Sequence, residues 1–177
     1  MGNSRKSIYV KGLIFYGIFM SLYFAYKYIP WPPLKIICGI TESNFQHYKA
    51  VYFSWIILSF CEYAYVRKKL NGIASFVYSR MATATILPWF VFLLWYIGPA
   101  IYGKMPKITL EILYANIITI ITGIFGSIFE QGLFKIDYSR ELKVIILILF
   151  AVSLMHYMVF TFIGLPWADV FVEPDYR

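Results

Sequence analysis

The chain concentrates its chemically versatile side chains in one short polar run, residues 42–49. This run places a carboxylate, a hydroxyl, an amide, an imidazole and an ammonium group close together. It contains His47, and the only other histidine in the sequence is His156. Histidine nitrogens and carboxylate oxygens bind divalent metals, and the same groups can act as a general acid and base. The predicted site comprises Glu42, Ser43, Asn44, His47, Lys49, Asn116 and His156.

Two interpretations of this run remain open at the level of sequence. In the first, Glu42, His47 and His156 hold a divalent metal or help to bind a small polar ligand. In the second, the polar residues anchor the start of a helix. Ser43 and Gln46 have the S-x-x-Q spacing of a capping box, and a carboxylate near a helix N-terminus is stabilised by the helix dipole.

The elements that must position these residues are apolar segments of membrane-spanning length. The chain of 177 residues is 60% hydrophobic and 14% charged, whereas soluble domains are about 45–50% apolar and about 25% charged. A spanning helix needs about 20 mostly apolar residues. The sequence therefore predicts one integral membrane domain, residues 1–177, folded as an all-α bundle of five transmembrane helices. The predicted spans are about 12–29, 50–66, 74–97, 110–134 and 142–163.

The distribution of basic residues predicts how these helices are oriented. Ten of the 16 Lys and Arg residues fall at the N-terminus or in the loops after the second and fourth segments. Because the more positive side of a membrane protein faces the cytoplasm, the N-terminus is predicted inside and the C-terminus outside the cell membrane. The same bias accounts for the net charge of +7, so the lipid bilayer, and no nucleic acid, is the predicted partner.

Three ionisable residues lie near the predicted cytoplasmic ends of different helices: Glu62, Arg80 and Glu130. Each is one to two turns from the end of its helix, so all three share a depth in the membrane. Charges at this depth are costly unless they are paired. We predict an ion cluster in which Arg80 contacts one or both carboxylates. Snorkelling of the long side chains towards water, and a gate or proton relay, are the alternatives.

Proline and small residues predict where helices bend and pack. Pro88 falls at the middle of the third segment and predicts a kink, while Gly98-Pro99 predicts its end. In the fourth segment, small residues recur every four positions. Small residues let helix backbones approach closely, so this ladder predicts a packing face within the bundle or between copies of the chain. The ladder is Ala115, Thr119, Gly123 and Ser127.

Residues 41–49 read T-E-S-N-F-Q-H-Y-K. This run resembles N-E-S-x-W-E-H-x-K, which is typical of a family of small bacterial and archaeal multi-pass membrane proteins of unknown function. The chain departs from it at Thr41, Phe45 and Gln46, and its proline-containing, acidic C-terminal end is also similar to that of the family. The resemblance implies that the polar run matters as a unit, and it implies no activity. The matching positions are Glu42, Ser43, His47 and Lys49.

Three functions are compatible with these features. The first is non-catalytic binding or passage of a small solute or ion, or a role as a membrane-complex subunit, through an outward-facing polar pocket. The second is a membrane-embedded enzyme, with or without a metal, that acts on a lipid or lipid-linked substrate. The third is a structural assembly partner that uses the small-residue ladder. The sequence contains no G-x-x-x-x-G-K-[ST], G-x-S-x-G or C-x-x-C motif, which favours the first.

Overall fold

A computed structural model describes residues 2–70, 72–103, 107–165 and 167–173. Every regular element in these residues is helical, which confirms the all-α part of the predicted fold. The five long helices are α1 (Gly2–Tyr28), α2 (Asn44–Val66), α3 (Ile73–Tyr102), α4 (Ile108–Leu133) and α5 (Arg140–Phe162). Short 3-10 helices span Pro32–Ile36, Arg67–Lys69 and Asp169–Phe171.

Four of the five helices are long and apolar enough to cross a membrane. These segments are Lys6–Tyr28, Ile73–Tyr102, Ile108–Leu133 and Arg140–Phe162. The remaining helix, α2, is the one most enclosed by the rest of the chain, and twelve of its 23 residues are buried. A helix covered by other helices needs no lipid-compatible surface, which explains why α2 tolerates more polar residues than its neighbours.

The helices form an antiparallel bundle. α1 packs against α2 and α4, whereas α3 packs against α2, α4 and α5. We call the end of the bundle that contains Lys11, the last turns of α2 and α4 and the first turns of α3 and α5 the Lys11 end. The opposite end, where α2 begins, is the His47 end. Between the two ends lies a core that includes Phe15, Val51 and Trp55.

The small-residue ladder of α4 faces α1. A Cβ atom added at Gly123 would lie 2.8 Å from the carbonyl oxygen of Gly12 and 2.8 Å from Cδ1 of Phe15. Thr119 and Ser127 are buried on the same helix. The ladder therefore forms a contact within the chain, which was one of its two predicted roles. Association of copies through the ladder stays a prediction, and it would require α1 to leave α4.

The third helix continues beyond its predicted end. Gly98 and Pro99 lie inside α3, which ends at Tyr102 and is followed by the C-cap residue Gly103 with a positive φ of 73°. The hydroxyl of Tyr114, on α4, donates to the carbonyl oxygen of Leu94 at 2.5 Å and accepts from the N–H of Gly98 at 3.0 Å. This hydroxyl contacts both backbone groups of an i, i−4 pair next to Pro99, and the helix continues past the proline. Pro88 is also accommodated inside the helix, where it is buried.

The start of α2 differs in detail from the capping-box prediction. Ser43 occupies the N-cap position, as the S-x-x-Q spacing predicts. Its hydroxyl makes no capping bond to the described backbone of α2 and instead accepts a hydrogen bond from the hydroxyl of Thr41 at 3.1 Å. The helix begins at Asn44, so the whole polar run from Asn44 to Lys49 is helical and its side chains point in different directions.

Candidate functional sites at the two ends of the bundle

Arg80 joins the two carboxylates at the Lys11 end. Its Nη2 atom lies 2.8 Å from Oε2 of Glu62 and 2.9 Å from Oε1 of Glu130. The predicted contact is therefore confirmed, and Arg80 pairs with both acids. Its guanidinium carbon lies 3.4 Å from the ring centroid of Phe76, so one face of the cation packs against an aromatic ring.

Lys11, one of the basic residues near the N-terminus, is a fourth member of this cluster. Its Nζ atom lies 2.8 Å from Oε2 of Glu62 and 2.6 Å from Oε1 of Glu130. Two cations and two carboxylates therefore balance. The sequence contained an indication of this: Glu62, Arg80 and Glu130 alone carry a net negative charge, and Lys11 immediately precedes the first predicted span at the same end of the bundle.

The cluster is deeply placed. The side chain of Glu130 is 4% exposed and that of Arg80 is 10% exposed, whereas Glu62 retains 29% exposure. Both cations contact Oε1 of Glu130, while its Oε2 atom is buried and has no hydrogen-bond partner among the described residues. A buried ion pair whose partner is removed leaves a charge without compensation, which costs about 3–5 kcal/mol. The four residues are therefore expected to act as one unit.

Tyr138, in the connection between α4 and α5, lies beside this cluster. Its hydroxyl donates to the carbonyl oxygen of Leu133 at 2.9 Å. Burial raises the pKa of the Tyr138 phenol, Arg80 opposes the rise, and Glu130 adds to it. The phenol consequently stays protonated at neutral pH and keeps its hydrogen bond to the last turn of α4.

At the His47 end, the imidazole of His47 lies between α1 and α2. Its Nδ1 atom lies 2.9 Å from the carbonyl oxygen of Ser43. Because that oxygen can only accept, Nδ1 carries the proton. The ring packs on Tyr23, with ring centroids 5.0 Å apart, and the hydroxyl of Tyr23 donates to Glu42. From the surface inwards, the order is therefore the exposed carboxylate of Glu42, the phenol of Tyr23 and the imidazole of His47.

A small cavity continues inwards from His47. It has a volume of about 20 Å³, and its polar lining residues are Asn44, His47, Tyr48, Trp95 and Thr119, with apolar side chains completing the wall. Nδ2 of Asn44 is buried without a hydrogen-bond partner among the described residues, and an unpaired buried amide is costly. A cavity needs about 10–15 Å³ to hold one water molecule. The space therefore fits a single water-sized species that could satisfy the Asn44 amide.

Lys49 belongs to a different neighbourhood. Its side chain is fully buried, and Nζ donates to the carbonyl oxygen of Lys35 at 2.7 Å and to Oγ1 of Thr161 at 3.1 Å. It therefore ties the segment before α2 to the end of α5. Cys38 is buried nearby. Burial raises the pKa of the Cys38 thiol, and Lys49 opposes that rise.

Asn116 is also separate from the cavity lining. Its Oδ1 atom accepts a hydrogen bond from the hydroxyl of Tyr16 at 2.5 Å, and its Nδ2 donates to the carbonyl oxygen of Ile112 at 2.7 Å. Both polar atoms of the amide therefore have a partner, and the bond from Tyr16 links α1 to α4. Asn116 supports the wall of the site but does not line it.

The structure does not bring the predicted metal ligands Glu42, His47 and His156 together. Within the part of the chain that the structure describes, no group of three His, Cys, Asp or Glu side chains could hold a metal ion. His156 is exposed and packs against Phe45, with ring centroids 5.8 Å apart, whereas His47 packs against α1. Phe45 and His47 are two residues apart, about 200° around the helix axis. The two imidazoles consequently contact different neighbours on different sides of α2.

Comparison with known proteins adds no identification. No family model, no curated protein and no solved structure matches the chain. The resemblance of residues 41–49 to a prokaryotic membrane family therefore stays a prediction.

Proposed function

We propose that this protein is a non-catalytic, five-span protein of the cell membrane that binds a small polar solute or ion at the His47 end. The observation that carries the proposal is the cavity beside Asn44. It combines a volume for one water-sized species with a buried amide that has no partner among the described residues. The exposed carboxylate of Glu42 leads to it through Tyr23 and His47.

Membrane insertion is supported by the four apolar helices and by the surface of α5. An 18-residue stretch of α5 has a mean hydropathy of 2.4, and only 11% of it is buried. Such a surface suits lipid better than water. We propose that α2 crosses as the fifth helix because α1 and α3 flank it. The basic bias supports a cytoplasmic Lys11 end and an outward-facing His47 cavity.

Binding is favoured over passage by the core below the cavity. Phe15 and Trp55 are fully buried, and Val51 and Ile118 are 1% and 3% exposed. These side chains separate the cavity from the charged cluster at the Lys11 end with close-packed hydrocarbon. A solute would have to displace them to move through the bundle, so this conformation is a binding state.

The proposal predicts that a small ion stabilises the protein through the cavity. Sodium, potassium, ammonium and chloride would be titrated at constant ionic strength into protein in detergent. At about a hundredfold excess over its Kd, the true ligand should raise Tm by about 5–10 °C. The fluorescence of Trp95, which lines the cavity, should change over the same concentration range, and the Trp95→Phe variant should lose that change.

Two near-isosteric variants localise this effect. Asn44→Leu and Thr119→Val each remove a polar group from the cavity wall, so the Tm rise should fall below about 1 °C. Thr85→Val is the matched control because Thr85, like Thr119, donates to the carbonyl four residues earlier but does not line the cavity. An unchanged Tm rise in both cavity variants, or no rise with any of the four ions, would contradict the proposal.

The enzyme alternative has weaker support. It required Glu42, His47 and His156 to act on one substrate, and the structure brings only the first two near each other, through Tyr23. A carboxylate, a phenol and an imidazole could exchange protons. However, the cavity they lead to holds about 20 Å³, which leaves no room for the reacting part of a lipid.

A further inference from the structure

An apolar groove lies at the other end of the molecule, separate from the His47 cavity. Its volume is about 250 Å³, approaching the about 300–1,000 Å³ of small-molecule pockets. α2 supplies Ile56, Ser59 and Tyr63 to its wall, and α3 supplies Val77 and Arg80, among others. Phe150 of α5 closes the third side.

The floor of the groove is electrically neutral although it includes Arg80. The guanidinium group is held by Glu62 and Glu130, and Lys11 completes a balanced set of two cations and two anions. Its side chain is only 10% exposed. An ionic group would therefore gain little inside the groove, whereas a hydrocarbon chain would bury apolar surface there.

The mouth of the groove, in contrast, is basic. The wall on α2 ends at Tyr63, and the wall on α3 begins at Ile73. The connection between these helices must therefore pass the end of the groove, and it starts with the 3-10 helix Arg67–Lys69. Arg67 and Lys68 are exposed there. The nearest acid on α2 is Glu62, which is already paired with two cations.

From this combination we propose that the groove holds one acyl chain of an anionic phospholipid, with the lipid phosphate at Arg67 and Lys68. The hydrocarbon suits the groove, and the two cations at its mouth suit a negative headgroup. This inference uses the membrane insertion proposed above but not the His47 cavity. A chain that stays dissolved without detergent would refute the membrane proposal, whereas lipid results in detergent refute only this inference.

Native mass spectrometry of the detergent-purified chain tests the lipid site. Phosphatidylglycerol and phosphatidylcholine with identical acyl chains would be added separately. The wild-type chain should retain one lipid and prefer phosphatidylglycerol at least about tenfold, because each basic residue near an anionic lipid favours binding. The double variant Arg67→Gln/Lys68→Gln should lose this preference and still retain either lipid.

Filling the groove should abolish retention of both lipids. Val77→Trp places an indole where the acyl chain lies. Ile86→Trp is its control, since Ile86 is a similarly exposed β-branched residue of α3, about 180° around the helix from Val77. Lys135→Gln/Arg140→Gln is the charge control at the same end. Full retention by Val77→Trp would overturn the proposal, as would a charge double variant that keeps the tenfold preference.

A third result would reassign the groove. If the wild-type chain is a dimer without bound lipid and Val77→Trp makes it monomeric, a second copy occupies the groove and the lipid proposal is wrong.

Discussion

Replacing Arg80 with Met should destabilise the protein by about 3–5 kcal/mol, because it leaves two buried carboxylates facing one cation. Arg80 now lies 2.8–2.9 Å from Glu62 and Glu130. Methionine preserves much of the side-chain volume, so the loss of charge rather than of packing dominates. Unfolding in mixed micelles, followed by circular dichroism, would measure the change in the free energy of unfolding.

A double variant separates charge balance from the loss of one contact. Arg80→Met/Glu130→Gln again has equal charges, because Lys11 and Glu62 remain paired at 2.8 Å. It should be less destabilised than the sum of the two single variants by about 0.5–3 kcal/mol, which is the range of coupling between interacting residues. If the double variant is instead less stable than the single variant by the full cost of Glu130→Gln, the four residues do not form one charge-balanced unit.

The contact between α1 and α4 should be equally sensitive at Gly123. Gly123→Leu forces a branched side chain into a space where even a Cβ atom would meet the Gly12 carbonyl oxygen and the Phe15 ring at 2.8 Å. Overpacking of this kind costs about 1–3 kcal/mol when the surroundings can adjust. Here one neighbour is backbone, so we expect a loss of at least about 3 kcal/mol and separation of α1 from α4.

Gly17→Leu is the matched control on α1. A Cβ atom added at Gly17 has nothing within 4 Å, and replacing glycine in an exposed helix position gains up to about 1 kcal/mol in helix propensity. Its stability should therefore equal or exceed that of the wild type in the same unfolding assay. Equal losses in both variants would show that Gly123 does not mediate a close helix contact.

Much of the fold was predictable because membrane helices follow simple rules of length and polarity. The five apolar segments correspond to the five long helices. Differences arise where a single contact overrides a local signal. Gly98-Pro99 normally ends a helix, but the Tyr114 hydroxyl bridges the Leu94 and Gly98 backbone groups, and α3 continues. Such a contact from another helix cannot be inferred from the residues around the proline.

The two sites illustrate what depth alone can predict. Counting residues from helix ends placed Glu62, Arg80 and Glu130 at one level, and charge balance then made contact between them favourable. The same reasoning predicts that His47 and His156 lie at a similar depth in the membrane. In the structure, however, His47 packs against Tyr23 and His156 packs against Phe45. Depth follows from sequence, whereas the direction of a side chain around its helix depends on which helices are neighbours, and sequence periodicity was too weak to determine that here.

The Asn44 cavity was predicted only as part of a polar run. Asn44 and His47 were among the predicted residues, but Trp95 and Thr119 also line the space. Thr119 was predicted only as a member of the packing ladder. It also lines the cavity, because a small side chain at a helix contact leaves space beside it. Lys49 and Asn116 do not line the cavity. Lys49 bonds instead to Lys35 and Thr161, and Asn116 bonds to Tyr16 of α1.

Cysteine labelling on both sides of α2 tests most directly whether this bundle crosses the membrane five times. Single cysteines would replace Trp31, Lys68 or Trp167, all exposed, in a chain lacking Cys38 and Cys61. A membrane-impermeant maleimide should label positions 31 and 167 in intact cells, and position 68 only after permeabilisation. Labelling of positions 31 and 68 from the same side would show that α2 does not cross, and it would remove the basis for an outward-facing His47 cavity.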